Sequence, residues 1–499
     1  MSLRDLTKNT FILALPKIIS FFLKIIRAKL NAVILGTEGV GIVNQLNEVI
    51  TKLGLFSTLS LNIGAKKLII DFDKDQQKRM ELPKIVGLFG LILITLVAVF
   101  FIIGLFYLEE LSEFFLKDQS KGLFITAFLV FPIVTVLSVP KTTLAGLMEF
   151  KTLSRVEIIV KVTSFIIYIP LIIIFGVRGA VANLVITNLF FFAILSYFTF
   201  YKVAKKRGHK LISFKKPKVE KSVIREFLTI SSVTSILGIY GIFSNLATRG
   251  IVASNLGMEQ IGIYTPIIAW SGFFSSFFVP ALLNYMFPRY GRCETNEELI
   301  TVSNNGIRLV SFMILPFVAI LIAFSDVLIP VFYSKKFVSA TTYLPLHFIG
   351  IFFITWMRVL KQIMIPTGRV KQFIPFSIAE SSLYLLVVFI FIDPLGLWAW
   401  ALRFSLVPLV IFFSHLIFLM RTIKFKIQKQ NALLMAYGIL TSGIIYYFTL
   451  TTDNLYLLRG ALVIVIIGLL YFFMRESEKK IVFGYVNQFV NRVKNKINN

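Results

Sequence analysis

The sequence predicts an all-α integral membrane protein of about 14 transmembrane helices: two six-helix pseudo-symmetric lobes around a central cavity, followed by two C-terminal helices. Three observations lead there. The 499 residues are 57% hydrophobic, with a mean hydropathy of +0.82, well above a soluble chain of that length. Only 15% are charged, and the 52 Lys and Arg against 25 Asp and Glu fall mostly between long apolar runs. A short motif also recurs about 220 residues apart. In a soluble protein the net charge of +27 would point to nucleic acid. Here membrane topology accounts for much of it, and no nucleic-acid partner is expected.

A helix needs about 20 mainly apolar residues to cross a bilayer. Fourteen runs qualify: 10–35, 40–65, 84–107, 122–146, 153–176, 179–203, 225–255, 260–288, 307–333, 341–366, 372–393, 395–420, 432–451 and 456–474. The first, around "ALPKIISFFLKIIRAKLNAVILG", is too long for a signal-peptide core, has no small-residue cleavage site after it, and is expected to be a retained helix. The second, sixth and twelfth spans follow tight hairpins at 36–39, 177–178 and 394. The third to fifth spans are joined by "EELSEFFLKDQSK" at 109–121 and by a short turn near 147–152. The six-helix halves are expected at 1–210 and 225–430, separated by a basic linker at 211–224. The two added helices occupy 431–475, and a basic amphipathic tail follows at 476–499.

Cation placement sets the orientation. Residues 66–84 carry six Lys and Arg, 202–225 carry ten, and 421–429 carry four. The alternate connections hold mainly Glu38, Glu109, Glu110, Glu259, Asp393 and Asp453, with "SKKF" at 334–337 as the exception. Both termini are therefore expected in the cytoplasm. No connection on the other side exceeds about 15 residues, so an extramembrane catalytic domain has no room. The single Cys293, the scattered His209, His347 and His415, and the lack of a phosphate-binding glycine loop leave no metal cluster or nucleotide site to read.

"LGTEGVGI" at 35–42 and "LGMEQIGI" at 256–263 share Leu, Gly, Glu and Gly, a Val/Ile pair and a closing Ile. Each stands at the first hairpin of a six-helix group. Because six is even, both halves begin on the same side, as parallel repeats about an axis along the membrane normal.

At 100° per residue, Lys17, Ser20, Lys24, Arg27 and Asn31 share one face of the first span. A cation at mid-membrane costs about 2.5–3.5 kcal/mol on insertion scales, so such a stripe needs water or partners. Similar stripes are Asn44, Asn47, Glu48 and Thr51 in the second span, and Ser154, Glu157, Lys161, Ser164 and Tyr168 in the fifth. The seventh carries Ser244, Asn245, Thr248 and Asn255, with Arg249 on the edge. The tenth carries His347, Arg358 and Lys361, and the eleventh Ser377, Glu380, Ser381 and Tyr384. Internal pairing would join Glu48 to Lys24 or Arg27, and Glu157 to Lys161. Cations still exceed anions: Lys17, Lys24, Arg27, Lys161, Arg249, Arg358 and Lys361 stand against Glu48, Glu157 and Glu380. The expectation is a hydrated cationic cavity for an anionic cargo, with phosphate favoured by Arg and Lys and hydroxyls by Asn, Ser and Tyr. A phosphorylated sugar on a lipid fits that chemistry.

The stretch "LRDLTKNTFILALPKIISFFLKIIRAKLNAVILGTEGVGIVNQLN" at 3–47, the two LGxExxGI hairpins and "FSDVLIPVFYSKKF" at 324–337 resemble bacterial polysaccharide (O-antigen type) flippases. These belong to the multidrug/oligosaccharidyl-lipid/polysaccharide exporter superfamily. The resemblance implies a V-shaped, two-lobed transporter that moves undecaprenyl-diphosphate-linked sugars between leaflets by alternating access. From the similar lipid II flippases it implies a diphosphate site at Lys24, Arg27 and Arg249, and a lipid-tail groove at residues 432–474. Many members have twelve helices, so the extra pair is a departure. The expected function is a non-enzymatic flippase without a cofactor. Glu48, Glu157, Glu380, His347 and His415 are the candidates to carry a coupling H+ or help bind Na+. A glycan polymerase or glycosyltransferase complex is the expected protein partner. A lipid II-type flippase, a multidrug exporter of the same fold, and a membrane glycan polymerase or ligase are the alternatives.

Overall fold

The structure, a computed structural model, describes residues 3–75, 77–117, 121–215, 221–452, 455–476 and 478–479. Among them it is helical and without strands. The helices are α1 (Leu3–Ile34), α2 (Gly36–Ser57), α3 (Leu61–Lys74), α4 (Leu82–Phe106), α5 (Leu108–Leu116), α6 (Lys121–Phe128), α7 (Phe131–Val136), α8 (Ser138–Gly146) and α9 (Phe150–Tyr197). There follow α10 (Ala204–Arg207), α11 (Lys221–Arg292), α12 (Asn296–Ala323), α13 (Ser325–Phe332), α14 (Leu344–Lys361), α15 (Val370–Leu395), α16 (Trp398–Ile423), α17 (Lys429–Thr451) and α18 (Tyr456–Leu469).

Nine helical runs among the described residues are long and apolar enough to cross a membrane, or ten with the bent pair α2 and α3. The cation-bearing α1 falls outside that apolar test, as does α11. Counting these, and dividing the runs broken at Gly176 and Gly257, recovers the fourteen expected spans.

Backbone conformation explains where spans end. Gly36, Gly176, Gly257 and Gly396 all have positive φ, between 53° and 79°. Side chains rarely adopt that backbone, and glycine takes it without strain, so a hairpin forms without a loop. These positions pair at offsets of about 220 residues, Gly36 with Gly257 and Gly176 with Gly396. A third correspondence is Met148 with Gly368, at φ 57° and 73°. Glu149 N–H reaches the Leu144 carbonyl at 2.9 Å, and Arg369 N–H reaches Met364 at 2.7 Å, closing the same helix end twice.

Two expectations are corrected locally, and a third is refined. The 40–65 span is not one helix: Leu59 and Ser60 take positive φ, and α2 and α3 are bent by 56°. The 122–146 span stands as one apolar run, Lys121–Gly146, with turns between α6, α7 and α8; Pro132 lies in the first turn of α7, where its missing N–H costs no hydrogen bond. The 109–121 connection contains a helix, α5, whose Ser112, Phe115 and Leu116 are buried.

Two compact units interleave along the chain. The first comprises residues 1–268, 329–340 and 374–403. Its core packs α3, α4, α8 and α9 through Ile69, Leu82, Phe89, Leu144, Val156 and Leu195. The beginning of the expected linker belongs here: Leu211 is buried, and Ser213 N–H donates to the Pro83 carbonyl at 2.8 Å. Residues 216–220 of that linker, and 480–499 of the expected tail, lie outside the described residues.

The second unit comprises residues 269–328, 341–373 and 404 onward. Thr295 caps α12 by accepting the Glu298 N–H at 3.2 Å. Asn304 on α12 accepts from Gln428 N–H at 2.8 Å and from the Asn431 side chain at 3.1 Å, tying α12 to α17. Arg459 of α18 is 1% exposed and donates to Asp326 at 2.7 Å and to the Thr452 carbonyl at 2.8 Å. Arg308 of α12 makes two 2.7 Å hydrogen bonds to Glu478. Arg459 thereby fastens α18 to the start of α13, and Arg308 fastens α12 to the segment that follows α18.

Candidate functional site

The first unit gathers most of the expected site. The face of α1 meets that of α9: the Arg27 guanidinium lies 4.1 Å from the Tyr168 ring centroid. Tyr168 donates its hydroxyl to Asn31 Oδ1, one turn further along α1. Asn31 thus fixes the ring, and the ring face holds the cation. Arg27 is half-buried and has no carboxylate partner among the described residues. Lys24, one turn earlier, is exposed. The Lys17 side chain lies outside the described residues.

A second cluster joins α2 and α11. Arg249 donates to Gln45 Oε1 at 3.1 Å and stands 3.8 Å from the Glu48 carboxylate. Gln45 Nε2 donates at 3.2 Å to the Phe115 and Arg249 carbonyls, so each of its polar atoms has a partner. The expected pairing of Glu48 with Lys24 or Arg27 is therefore corrected: Glu48 serves Arg249. Arg249 is 7% exposed, with Trp400 of α16 5.9 Å from its guanidinium. Asn47 is exposed, whereas Asn44 donates to the Thr265 hydroxyl at 3.3 Å.

This last contact belongs to a reciprocal crossing of the two repeated motifs. A Cβ on Gly41 would stand 1.9 Å from the Met258 carbonyl oxygen, and one on Gly262 would stand 1.8 Å from that of Thr37. Thr37 donates to Glu259 at 3.3 Å. Thr37 and Met258, Gly41 and Gly262, and Asn44 and Thr265 are each 221 positions apart. Equivalent residues of the two motifs thus meet each other about a local two-fold axis. Only glycine permits that approach of backbones.

Several polar stripes are closed against neighbouring helices. Ser164 shares a hydrogen bond with Thr187 at 2.5 Å and accepts from Asn183 at 3.3 Å. Ser244 donates to the Ser381 carbonyl, and Tyr240 and Ser382 hydroxyls are 2.7 Å apart. Asn245 keeps a buried Oδ1 without a partner among the described residues. Glu380 is half-buried on α15. Glu157 and Lys161 are half-buried on α9, and both are electrostatic neighbours of Lys141, whose ammonium lies 4.5 Å from the Phe191 ring.

The second unit contains the other candidates. His347 is buried, with its ring 4.4 Å from that of Phe404. His415 Nδ1 is 2.7 Å from the Ile411 carbonyl, a bond within its own helix. Lys361 lies 4.9 Å from the Phe373 ring, and Arg358 is half-buried. Among the described residues no three His, Cys, Asp or Glu side chains gather in a way that could hold a metal ion.

Sequence reasoning missed Gln45, Trp400 and Arg403. Arg403 is 5% exposed, 5.0 Å from the Tyr384 ring, and an electrostatic neighbour of Arg249 and Tyr264. It is the single charge in the apolar run "LWAWALRFSLVPLVIFF", a signal that a search for intramembrane charges would find. Gln45 gave no such signal, because a lone amide on an apolar face does not disclose its partners.

The family model for polysaccharide biosynthesis proteins matches residues 34–342. A comparison with curated protein sequences finds no match. Among solved structures, the chain is similar to the lipid II flippase MurJ in an inward closed conformation, with a TM-score of 0.70 at 17% identity, covering 92% of this chain and 97% of that one. It is also similar to an inward-facing multidrug resistance MATE family transporter of the MOP superfamily, with a TM-score of 0.64 at 15% identity, covering 83% and 94%. A MOP superfamily transporter from Pyrococcus furiosus, described by a reversed polarity of its binding pocket, gives 0.53 at 13% identity, covering 84% and 97%. At these identities the likeness establishes a shared transporter fold.

Proposed function

The chain belongs to the polysaccharide biosynthesis protein family, and on that premise we propose that it is a lipid-linked oligosaccharide flippase. Its cargo is an undecaprenyl-diphosphate-linked oligosaccharide, an O-antigen or related surface polysaccharide unit. It carries the head group from the cytoplasmic to the outer leaflet of the bacterial inner membrane by alternating access, with both of its own termini in the cytoplasm. A glycosyltransferase or polymerase complex supplies or consumes the cargo.

The observation that carries this reading is Arg27, a half-buried intramembrane cation held by an aromatic face and by no carboxylate among the described residues. A guanidinium so placed keeps its N–H groups available for an anion, and it is a better fork for phosphate than an ammonium. Lys24 adds a second charge one turn away, and Arg249 a third that a single carboxylate partly offsets. The same polarity argues against organic cations as cargo. Lys17, Lys161, Arg358 and Lys361 remain candidates for the passage of the head group. Glu48, Glu157, Glu380, His347 and His415 remain candidates for coupling to H+ or Na+. In this reading the crossing of Gly41 and Gly262 closes the outer end of the passage.

A lipid II-type flippase is the second reading, favoured by the fold likeness to MurJ. One experiment separates the two. The purified protein, in proteoliposomes, is offered undecaprenyl-diphosphate-linked oligosaccharide or lipid II, each with a leaflet-specific probe. Faster movement of the oligosaccharide than in empty liposomes supports the first reading. Movement of lipid II alone selects the second, and movement of neither overturns both.

A further inference from the structure

Beyond the passage, the first unit contains a cavity of about 590 Å³ at the Gly36 and Gly176 turns, between the start of α2 and the break within α9. Its charged lining residues are Glu38 and Arg178, and Leu35, Ile42, Leu123 and Phe175 are among its apolar walls. Two glycine hairpins shape it. Gly36 and Gly176 turn the chain without loops, and a Cβ on Gly39 would meet Val177 at 3.1 Å, so the two turns lie against each other. Both hairpins join successive spans, which places the cavity at the level where hydrocarbon gives way to water. At its edge, Ile173, Ile174 and Phe175 are 63%, 68% and 58% exposed, an apolar turn of α9 just before the Gly176 break.

We propose that this cavity binds the head group of a zwitterionic aminophospholipid. Arg178 takes the phosphate, Glu38 takes the primary ammonium, and the turn at 173–175 receives the start of an acyl chain. Three features favour that occupant. The two charges are of opposite sign and line the same space, as the phosphate and ammonium of one zwitterionic head group require. The cavity is of a size that suits a head group. The turn at its edge is open to lipid, so a bound molecule keeps its tail in the bilayer. The corresponding turn of the second half, "LGLW" at 395–398, has no charge, so this site belongs to one half of the repeat only. It is independent of the flippase reading, because it uses neither Lys24, Arg27 nor Arg249.

The test is native mass spectrometry of the delipidated full-length protein, titrated with chain-matched phosphatidylethanolamine, phosphatidylglycerol or phosphatidylcholine. The wild type is expected to bind phosphatidylethanolamine at least about tenfold more tightly than phosphatidylglycerol, which has the phosphate but no ammonium. Glu38→Gln should abolish this preference and leave phosphatidylglycerol binding unchanged. Arg178→Gln should weaken all three lipids. The methylated ammonium of phosphatidylcholine cannot donate to Glu38, so this lipid should fall between the others. Equal affinities in the wild type overturn the proposal, and so does a phosphatidylethanolamine preference that survives both substitutions. Head-group displacement by a lipid-linked oligosaccharide would instead assign the cavity to the cargo and overturn the proposal too. Both side chains are exposed, and unchanged thermal unfolding of the variants confirms that they fold.

Discussion

At the scale of single residues, Arg27 and Arg249 show two ways of keeping a guanidinium inside a membrane. Arg27 rests on the Tyr168 face, and Arg249 is shared between Gln45, Glu48 and Trp400. Tyr168→Phe retains the face but removes the bond to Asn31, and should cost about 1 kcal/mol of unfolding free energy with transport largely kept. Tyr168→Leu removes the face and should lower the transport rate severalfold further. Transport equal in the two variants would show that the ring does not position Arg27. Arg459 makes a different case, since its donors are satisfied by Asp326 and backbone carbonyls. Removing one partner of a buried pair costs about 3–5 kcal/mol. Arg459→Ala should therefore lower the thermal unfolding midpoint in detergent markedly, and an unchanged midpoint would refute a fastening role.

At the scale of elements, the repeat was legible in the sequence as "LGTEGVGI" and "LGMEQIGI", but its contact was not. A sequence shows that two turns resemble each other; it does not show that they touch. That needs the absent Cβ atoms of Gly41 and Gly262, whose effect lies in the neighbouring backbone. Gly41→Val should disturb this crossing by forcing the helices apart, an overpacking cost of about 1–3 kcal/mol. Cysteines in place of Thr37 and Glu259, whose side-chain oxygens are 3.3 Å apart, should be bridged in membranes by a short bifunctional thiol reagent. In the Gly41→Val background the yield should fall several-fold, and an equal yield would contradict the crossing. The hairpins at 36–39 and 177–178 were read correctly from their short apolar-to-apolar transitions, and glycines at positive φ supply the reason. The break at Thr58–Ser60 was illegible because no glycine or proline marks it: Leu59 and Ser60 take the left-handed region themselves. The face of α1 was legible because cations in an apolar run are few and costly. Which anion met which cation was not, because Glu48 lies within reach of several partners and only packing selects Arg249.

At the scale of the whole molecule, composition alone settled that the chain is a multi-pass membrane protein, and the family match and transporter fold agree with it. The charge excess of +27 has two parts in this account. Most cations lie in the connections and set topology, while a few on interior faces serve the cargo. The two parts respond differently to salt, since exposed charges are screened within about 10 Å at 0.1 M ionic strength and sheltered ones much less.

The central claim is that Arg27, with Lys24 and Arg249, receives a diphosphate. Its most direct measurement is the initial flipping rate of undecaprenyl-diphosphate-linked oligosaccharide in proteoliposomes containing wild type, Lys24→Ala, Arg27→Ala or the double variant, at matched protein incorporation and thermal stability. The account predicts a loss of about tenfold or more for each single variant and no measurable flipping for the double variant. Wild-type rates in the double variant would contradict it.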